Sequence, residues 1–305
     1  MISTYTDDYF LLPGLDAYQQ ARTERIATLL GSGLDTANPA GRPIAYAVAH
    51  HLLEGAEQAA RDRDEALLGW YRRTSTRDLA YLLAAGPPGS AHLVLNPTQA
   101  DLLRSPLSET AYYLVRPETA PAEGPVLKIL AAALDSAHEH GLGRLVEQQA
   151  PIVCLLEHRD LAHTLFSWSI TSLPGTVFTD FTDHPEVLAR DLIHEAGHHW
   201  LNEALALTET VLPDDVTFYS PWRATERPVF GFLHACWAFS LTVIYSARAL
   251  AMGASPVCDF LAADVSSQQE QLEAANDSFS KAIGYIKAEA LKGCLTTVIR
   301  TALET

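Results

Sequence analysis

The sequence predicts an α+β protein, mainly helical, with a short strand hairpin directly before a helix that carries a His-Glu-x-x-His motif. Three observations predict it. Apolar residues return at helical spacing over long stretches at both ends of the chain, only a few β-like runs lie between them, and His194-Glu195-Ala196-Gly197-His198 falls inside a helical stretch just after one pair of those runs.

Taken in order, Leu15 to Arg73 is rich in Ala, Leu, Glu and Arg with apolar positions such as Ile44, Ala47, Val48 and Leu52, so the chain opens as helices. Gly86-Pro87-Pro88-Gly89 and the stretch from Pro117 to Pro125 are breakers. A helix over Val126 to Glu139 follows, then the apolar run Ile152 to Leu156, which reads as a buried strand. The runs Leu165 to Ile170 and Thr176 to Phe181 flank Ser172-Leu173-Pro174-Gly175, where Pro then Gly suits the two central positions of a type II turn, and together they read as a hairpin. Asp183-His184-Pro185-Glu186 starts the next helix, with Pro where a missing N–H costs nothing and an acid at the positive end of the dipole. That helix is expected to reach Leu207. A polar loop from Pro213 to Pro228, an apolar helix from Val229 to Met252 and a helical region from Pro256 to Glu304 complete the chain. The expected division is an N-terminal helical region, 1–120, and a metal-binding catalytic domain, 121–305, with a single domain as the alternative.

Composition narrows the partners. Against 37 Asp and Glu stand 21 Lys and Arg, and the net charge of -16 repels a phosphate backbone and an anionic membrane surface alike. Neither nucleic acid nor a membrane is an expected partner. Cys154, Cys236, Cys258 and Cys294 form no CxxC pair and no disulfide framework, and Met1 to Gly14 lacks a basic n-region before an apolar stretch, so a cytoplasmic protein is expected. Val229 to Ala247 carries no formal charge over 19 residues, close to a membrane span. His234, Ser240, Thr242, Tyr245 and Ser246 interrupt it, which fits a buried core helix better.

The chemistry concentrates on the His-Glu-x-x-His motif. Residues four apart on a helix share a face, so His194 and His198 can grip one metal ion with Glu195 beside them, and the hairpin-then-helix context is metallopeptidase-like. His199 points about 100 degrees away from His198 and is not expected to share the metal. A third ligand six residues after His198 would be Ala204, which excludes that arrangement, and Glu203 is rotated off the ligand face. The apolar helix that follows contains no carboxylate in its interior, but it does contain His234, whose unpaired burial would be costly and which metal ligation would satisfy. Glu226 is the reserve ligand. Three histidines suit zinc with one open position or ferrous iron with three. The segment Tyr219-Ser220-Pro221-Trp222-Arg223-Ala224-Thr225-Glu226-Arg227-Pro228 links the two ligand helices. Arg223 and Arg227 can bind an anionic cosubstrate through paired hydrogen bonds, or alternatively pair with Glu226, Asp214 or Asp215; Trp222 suits a pocket wall.

The stretches L-I-H-E-A-G-H-H-W-L-N, F-Y-S-P-W-R-A-T-E-R-P and G-F-L-H-A-C-W-A-F, with S-L-P-G-T-V-F upstream, resemble the HExxH-type peptide-modification family. The resemblance is specific over about Ser167 to Ala247. It implies an iron- and 2-oxoglutarate-dependent β-hydroxylase of ribosomally made peptides, with dioxygen as second cosubstrate and a peptide or amino acid as substrate. It further implies His194, His198 and His234 as ligands, Asn202 as a contact one turn beyond His198, and the loop carrying Tyr219, Trp222, Arg223 and Arg227 as the cosubstrate site. Where relatives often carry Glu four residues before the helix His, this chain has Phe230, which favours His234 as the ligand. Under this reading Glu195 orients ligands or substrate or carries protons. The alternative is a cytoplasmic zinc metallopeptidase in which Glu195 deprotonates metal-bound water. The strand Thr176 to Phe181 is expected to offer an edge to an extended peptide.

Overall fold

In the computed structural model, which describes residues 10–32, 34, 41–86, 90–104, 110–253 and 257–305, the apolar run at the middle of the chain forms the centre of the molecule. It becomes β5 (Ile152–His158), the third strand of a five-stranded sheet ordered β1 (Leu83–Ala85), β2 (Ala91–Leu95), β5, β7 (Thr176–Phe181) and β6 (Ser167–Ser169). The pairs β2–β5 and β5–β7 are parallel, while β1–β2 and β6–β7 are antiparallel. Strands buried on both faces carry continuous apolar runs, and β5 does over Ile152 to Leu156, whereas β7 is buried throughout but includes Thr176, Thr179 and Asp180. Side chains alternate between the faces. Val153, Leu155 and Val177 enter one apolar core; Ile152, Cys154 and Phe178 enter another.

Helices cover both faces. The first three, α1 (Leu15–Leu30), α2 (Arg42–Asp62) and α3 (Glu65–Arg73), match the helical opening read from the sequence, and α2 supplies Ile44, Ala47, Val48 and Leu52 to the second core. The first core takes in α4 (Gly124–Glu139), α5 (Gly143–Gln149), α6 (Pro185–Leu207), α7 (Val229–Ala251), α8 (Cys258–Ala282) and α9 (Glu289–Glu304). The molecule is therefore α+β and mainly helical with one small mixed sheet. Among the described residues one helix, α7, is long and apolar enough to cross a membrane, and its most apolar stretch is buried against α6, α8 and α9.

Three expectations change. The first 120 residues are not helical throughout: β1 and β2 lie there with the short pair β3 (Leu103–Arg104) and β4 (Ala111–Tyr112), and β2 is bonded to β5 from beyond residue 120. One sheet therefore joins the two regions. Residues 213–228 are not all loop, because β8 (Thr217–Ser220) and β9 (Thr225–Pro228) form a separate antiparallel hairpin. Its turn begins at Ser220, whose carbonyl accepts from the Arg223 N–H at 3.2 Å, and it closes through Ala224 at φ +48°. Thirdly, β7 is an interior strand with both edges occupied; the sheet ends at β1 and β6, and on the β7 side the end strand is β6. A peptide has no free β7 backbone to pair with.

The hairpin before the motif helix forms as read. The Thr176 N–H donates to the Leu173 carbonyl at 3.2 Å, and Gly175 between them has φ +80°, the left-handed value a type II turn requires at that position. Of the Gly86–Gly89 breaker, residues 87–89 lie outside the described residues.

Candidate metal centre

Helix α6 starts at Pro185 with Glu186 in its first turn, and its i, i+4 spacing places His194 and His198 on one face with their Nε2 atoms 3.1 Å apart. The partner helix α7 packs its side chains directly onto Gly197. A Cβ on Gly197 would lie 2.6 Å from Leu241 Cδ1, and the Gly197 carbonyl accepts a hydrogen bond from Trp237 Nε1 at 2.9 Å. This close crossing brings His234 of α7 against His198, with 3.0 Å between their Nδ1 atoms.

Burial holds all three imidazoles neutral. It presses His198 down to about 4, aided by His199 and Arg227, and His194 and His234 well below the ordinary histidine value. Neutral imidazole is the form that binds a metal. His234 Nε2 is buried and has no hydrogen-bond partner among the described residues, an orphan that a cation would satisfy. The nitrogens do not yet converge: His198 meets His194 with one ring nitrogen and His234 with the other, and among the described residues no three His, Cys, Asp or Glu side chains are set around a single point. Gathering three nitrogens on one ion requires a turn of the His234 or His198 ring.

The histidines open onto a cavity of about 560 Å³ that also contains Trp222, Arg223, Arg227 and Phe239. Trp222 stacks on Phe239 at 5.1 Å between centroids and 7° between planes, and donates from Nε1 to Gln268 Oε1 at 2.8 Å, so it forms a wall. Arg227 lies against Gly231 of α7, where a Cβ would come within 2.8 Å of its guanidinium. Among the described residues neither arginine has an acidic partner within ion-pair distance, so the expected alternative of pairing with Glu226, Asp214 or Asp215 is not realised. Burial and the neighbouring Arg223 both press the Arg227 guanidinium downward. Two like charges held this close favour an anion between them.

Other expected contacts fall elsewhere. Across β8–β9, Phe218 pairs with Arg227 and Tyr219 with Glu226; strand alternation sends the first pair toward α7, where Phe218 meets Phe232 at 5.3 Å, and the second pair outward. Tyr219 is exposed and does not line the cavity, and Glu226, the reserve ligand, is exposed as well. Asn202 is half-buried and also outside the lining, because one further turn of α6 carries it past the histidine face. His199 is turned away as expected, its Nε2 2.9 Å from the Thr176 carbonyl. Glu203 is buried on that far side, hydrogen-bonded by Gln19.

Glu195 is buried next to the histidines, but its carboxylate faces the sheet. Ser167 Oγ donates to one oxygen at 2.8 Å and Ser169 Oγ to the other at 2.9 Å. Burial pushes its carboxyl up to about 7 in spite of both bonds. These serines and Gln268 escaped the sequence reading. The alternation in Ser167-Trp168-Ser169 puts both hydroxyls on one face of a strand, yet nothing local says that Glu195 waits on that side. No family model matches this chain, and no curated protein matches it.

Proposed function

We propose that the protein is a ferrous iron- and 2-oxoglutarate-dependent oxygenase that hydroxylates a β-carbon of a peptide or amino acid, as in the biosynthesis of ribosomally made peptide products. The observation that carries this reading is the presence of two guanidinium groups, without acidic partners among the described residues, in the same cavity as three neutral histidines. A doubly cationic wall matches both carboxylates of a dicarboxylate cosubstrate, whereas a zinc peptidase would use a single arginine to stabilise an oxyanion.

His194, His198 and His234 would hold the metal, and the orphaned His234 Nε2 supports their fit to it. When bound, the iron supplies, with 2-oxoglutarate and dioxygen, the oxidising power that turns a C–H into C–OH while succinate and carbon dioxide are released. The chain itself binds and orients. Arg223 and Arg227 hold the carboxylates of the cosubstrate through charge-assisted hydrogen bonds. The Trp222–Phe239 stack excludes water from one side of the cavity. Glu195, fixed by Ser167 and Ser169, ties the motif helix to strand β6 and keeps His194 in register with it. On this reading β6, β7, α6 and α7 would make up the catalytic unit.

One observation favours a second reading, a cytoplasmic zinc peptidase. A carboxyl pushed to about 7 is poised as a general base near neutral pH. The deciding experiment is an anaerobic titration of metal-free protein with ferrous iron and then 2-oxoglutarate, watching for the visible charge-transfer band of a chelated 2-oxo acid. The expected band disappears in His234→Ala and weakens in Arg223→Ala and Arg227→Ala. No band, with one tightly held zinc and peptide cleavage that needs no oxygen, would replace the oxygenase by the peptidase.

A further inference from the structure

His194, Phe239 and Gln268 face a second cavity, of about 260 Å³, on the side opposite the arginines. Its charges are of the other sign. Arg190 donates to Asp191 Oδ1 from Nε at 3.0 Å and from a terminal nitrogen at 2.7 Å, and reaches Asp264 Oδ1 at 3.4 Å. Among the described residues Asp264 Oδ2 is buried without a hydrogen-bond partner, so two carboxylates share one guanidinium and the lobe keeps one negative charge. Gln268 links the lobes: its Oε1 accepts from Trp222 on the cationic side, and its Nε2 donates to Asp264 Oδ1 at 3.4 Å on the acidic side.

Phe166 and Ser167, at the start of β6, line this same acidic lobe. Strand β6 ends the sheet, and its pairing sets which backbone groups are open. The Asp180 N–H donates to the Phe166 carbonyl at 2.9 Å, so Phe166 and Trp168 are the residues bonded to β7, and the N–H and C=O of Ser167 and Ser169 between them point to the free edge. The hydroxyls of the same two serines hold Glu195. An open strand edge thus runs along the mouth of an acidic cavity that shares His194 with the histidine cluster.

We infer that an extended peptide adds to the free edge of β6 through the backbone of Ser167 and Ser169 and places a basic side chain, lysine or arginine, in the lobe of Asp264. This specifies the substrate of the oxygenase proposed above and rests on that reading. Charge complementarity selects the occupant: an acidic side chain would meet Asp264 and Asp191, an apolar one would leave Asp264 Oδ2 unpaired, and a net charge of -16 draws basic peptides to the surface.

The test reads binding to the metal-free full-length protein, so it is independent of turnover. Fluorescein-labelled heptapeptides of alternating Thr and Val, identical except for a central Lys, norleucine or Glu, are titrated by anisotropy, and the Lys peptide is measured again with alternate backbone nitrogens methylated. The Lys peptide is expected to bind at least about tenfold more tightly than the Glu peptide. N-methylation is expected to abolish that binding, and Asp264→Asn to remove the Lys preference. Equal binding of the three unmethylated peptides by the unaltered protein, or binding indifferent to N-methylation, would overturn the inference without any variant having to fold. A charge-transfer band that fails to form while the Lys preference persists would refute the oxygenase alone; a band with no peptide preference would refute the subsite alone.

Discussion

At the residue scale the site separates into groups that bind and one group that positions. Arg223 and Arg227 are the binding pair: replacing Arg227 by Met removes a charge-assisted contact of about 1.5–3 kcal/mol. The 2-oxoglutarate concentration at half-maximal charge-transfer absorbance should therefore rise at least about tenfold. Glu195 tells the two readings apart, because Glu195→Gln keeps the shape and both contacts, its amide oxygen accepting from one of Ser167 and Ser169 and its amide nitrogen donating to the other hydroxyl. If the group only positions, succinate formation should stay within a few-fold of the parent. A general base would be lost, with a fall of about 10²–10⁴ in peptide cleavage. His194, His198 and Glu195 were legible from their spacing alone. Ser167, Ser169 and Asp264 were not, since a serine or an aspartate gains meaning only from what faces it.

At the element scale the site depends on how closely α6 and α7 cross. Gly197 permits that approach, and Gly197→Ala forces a methyl to within 2.6 Å of Leu241 Cδ1. Overpacking of this kind costs about 1–3 kcal/mol. The substitution should lower the urea midpoint and also weaken ferrous binding, because His234 moves away from His198; unchanged iron affinity in a destabilised Gly197→Ala protein would show that the crossing distance does not govern the site. Hairpin β8–β9 does for the arginines what the helices do for the histidines. Strand alternation turns Arg227 inward beside Phe218 and Tyr219 outward beside Glu226. The alternation was present in Thr217-Phe218-Tyr219-Ser220, but a four-residue stretch beside prolines reads as loop until a partner strand is seen.

At the scale of the whole molecule, buried histidines make the fold sensitive to acid. Burial holds His50 and His51 at about 3 and His92 and His199 at about 4, against 6.5 for an ordinary imidazole. The unfolded chain binds their protons first, so stability present above pH 6.5 is lost as the pH falls toward those values. Glu195 and Glu203, raised to about 7, act in the opposite sense, since the folded state holds their protons between about 4.5 and 7. Together with the three site histidines, which burial also depresses, these rings outnumber the two glutamates, so the unfolded chain binds more protons and stability falls as the pH drops from 6.5 to 4.5. Urea midpoints should drop steeply across that interval, and a midpoint level from pH 7 to 5 would contradict the neutral burial of these rings. The sheet is the other property of the whole. Its central strand was readable as an apolar run, whereas β1 and β2 sit among helices and earn strand status only by pairing with each other and, through β2, with β5.

The sequence by itself determined the helices, the type II turn, the hairpin before the motif helix and the two metal-binding candidates on one face, because all of these follow from local periodicity and the backbone limits of Pro and Gly. Tertiary structure alone decided which strand keeps a free edge, which of Tyr219 and Arg227 faces the cavity, and how close His234 comes to His198. Those depend on strand order, on the neighbour that a pleat faces and on a helix crossing set by one missing methyl, contacts between residues far apart in the chain that no local pattern encodes.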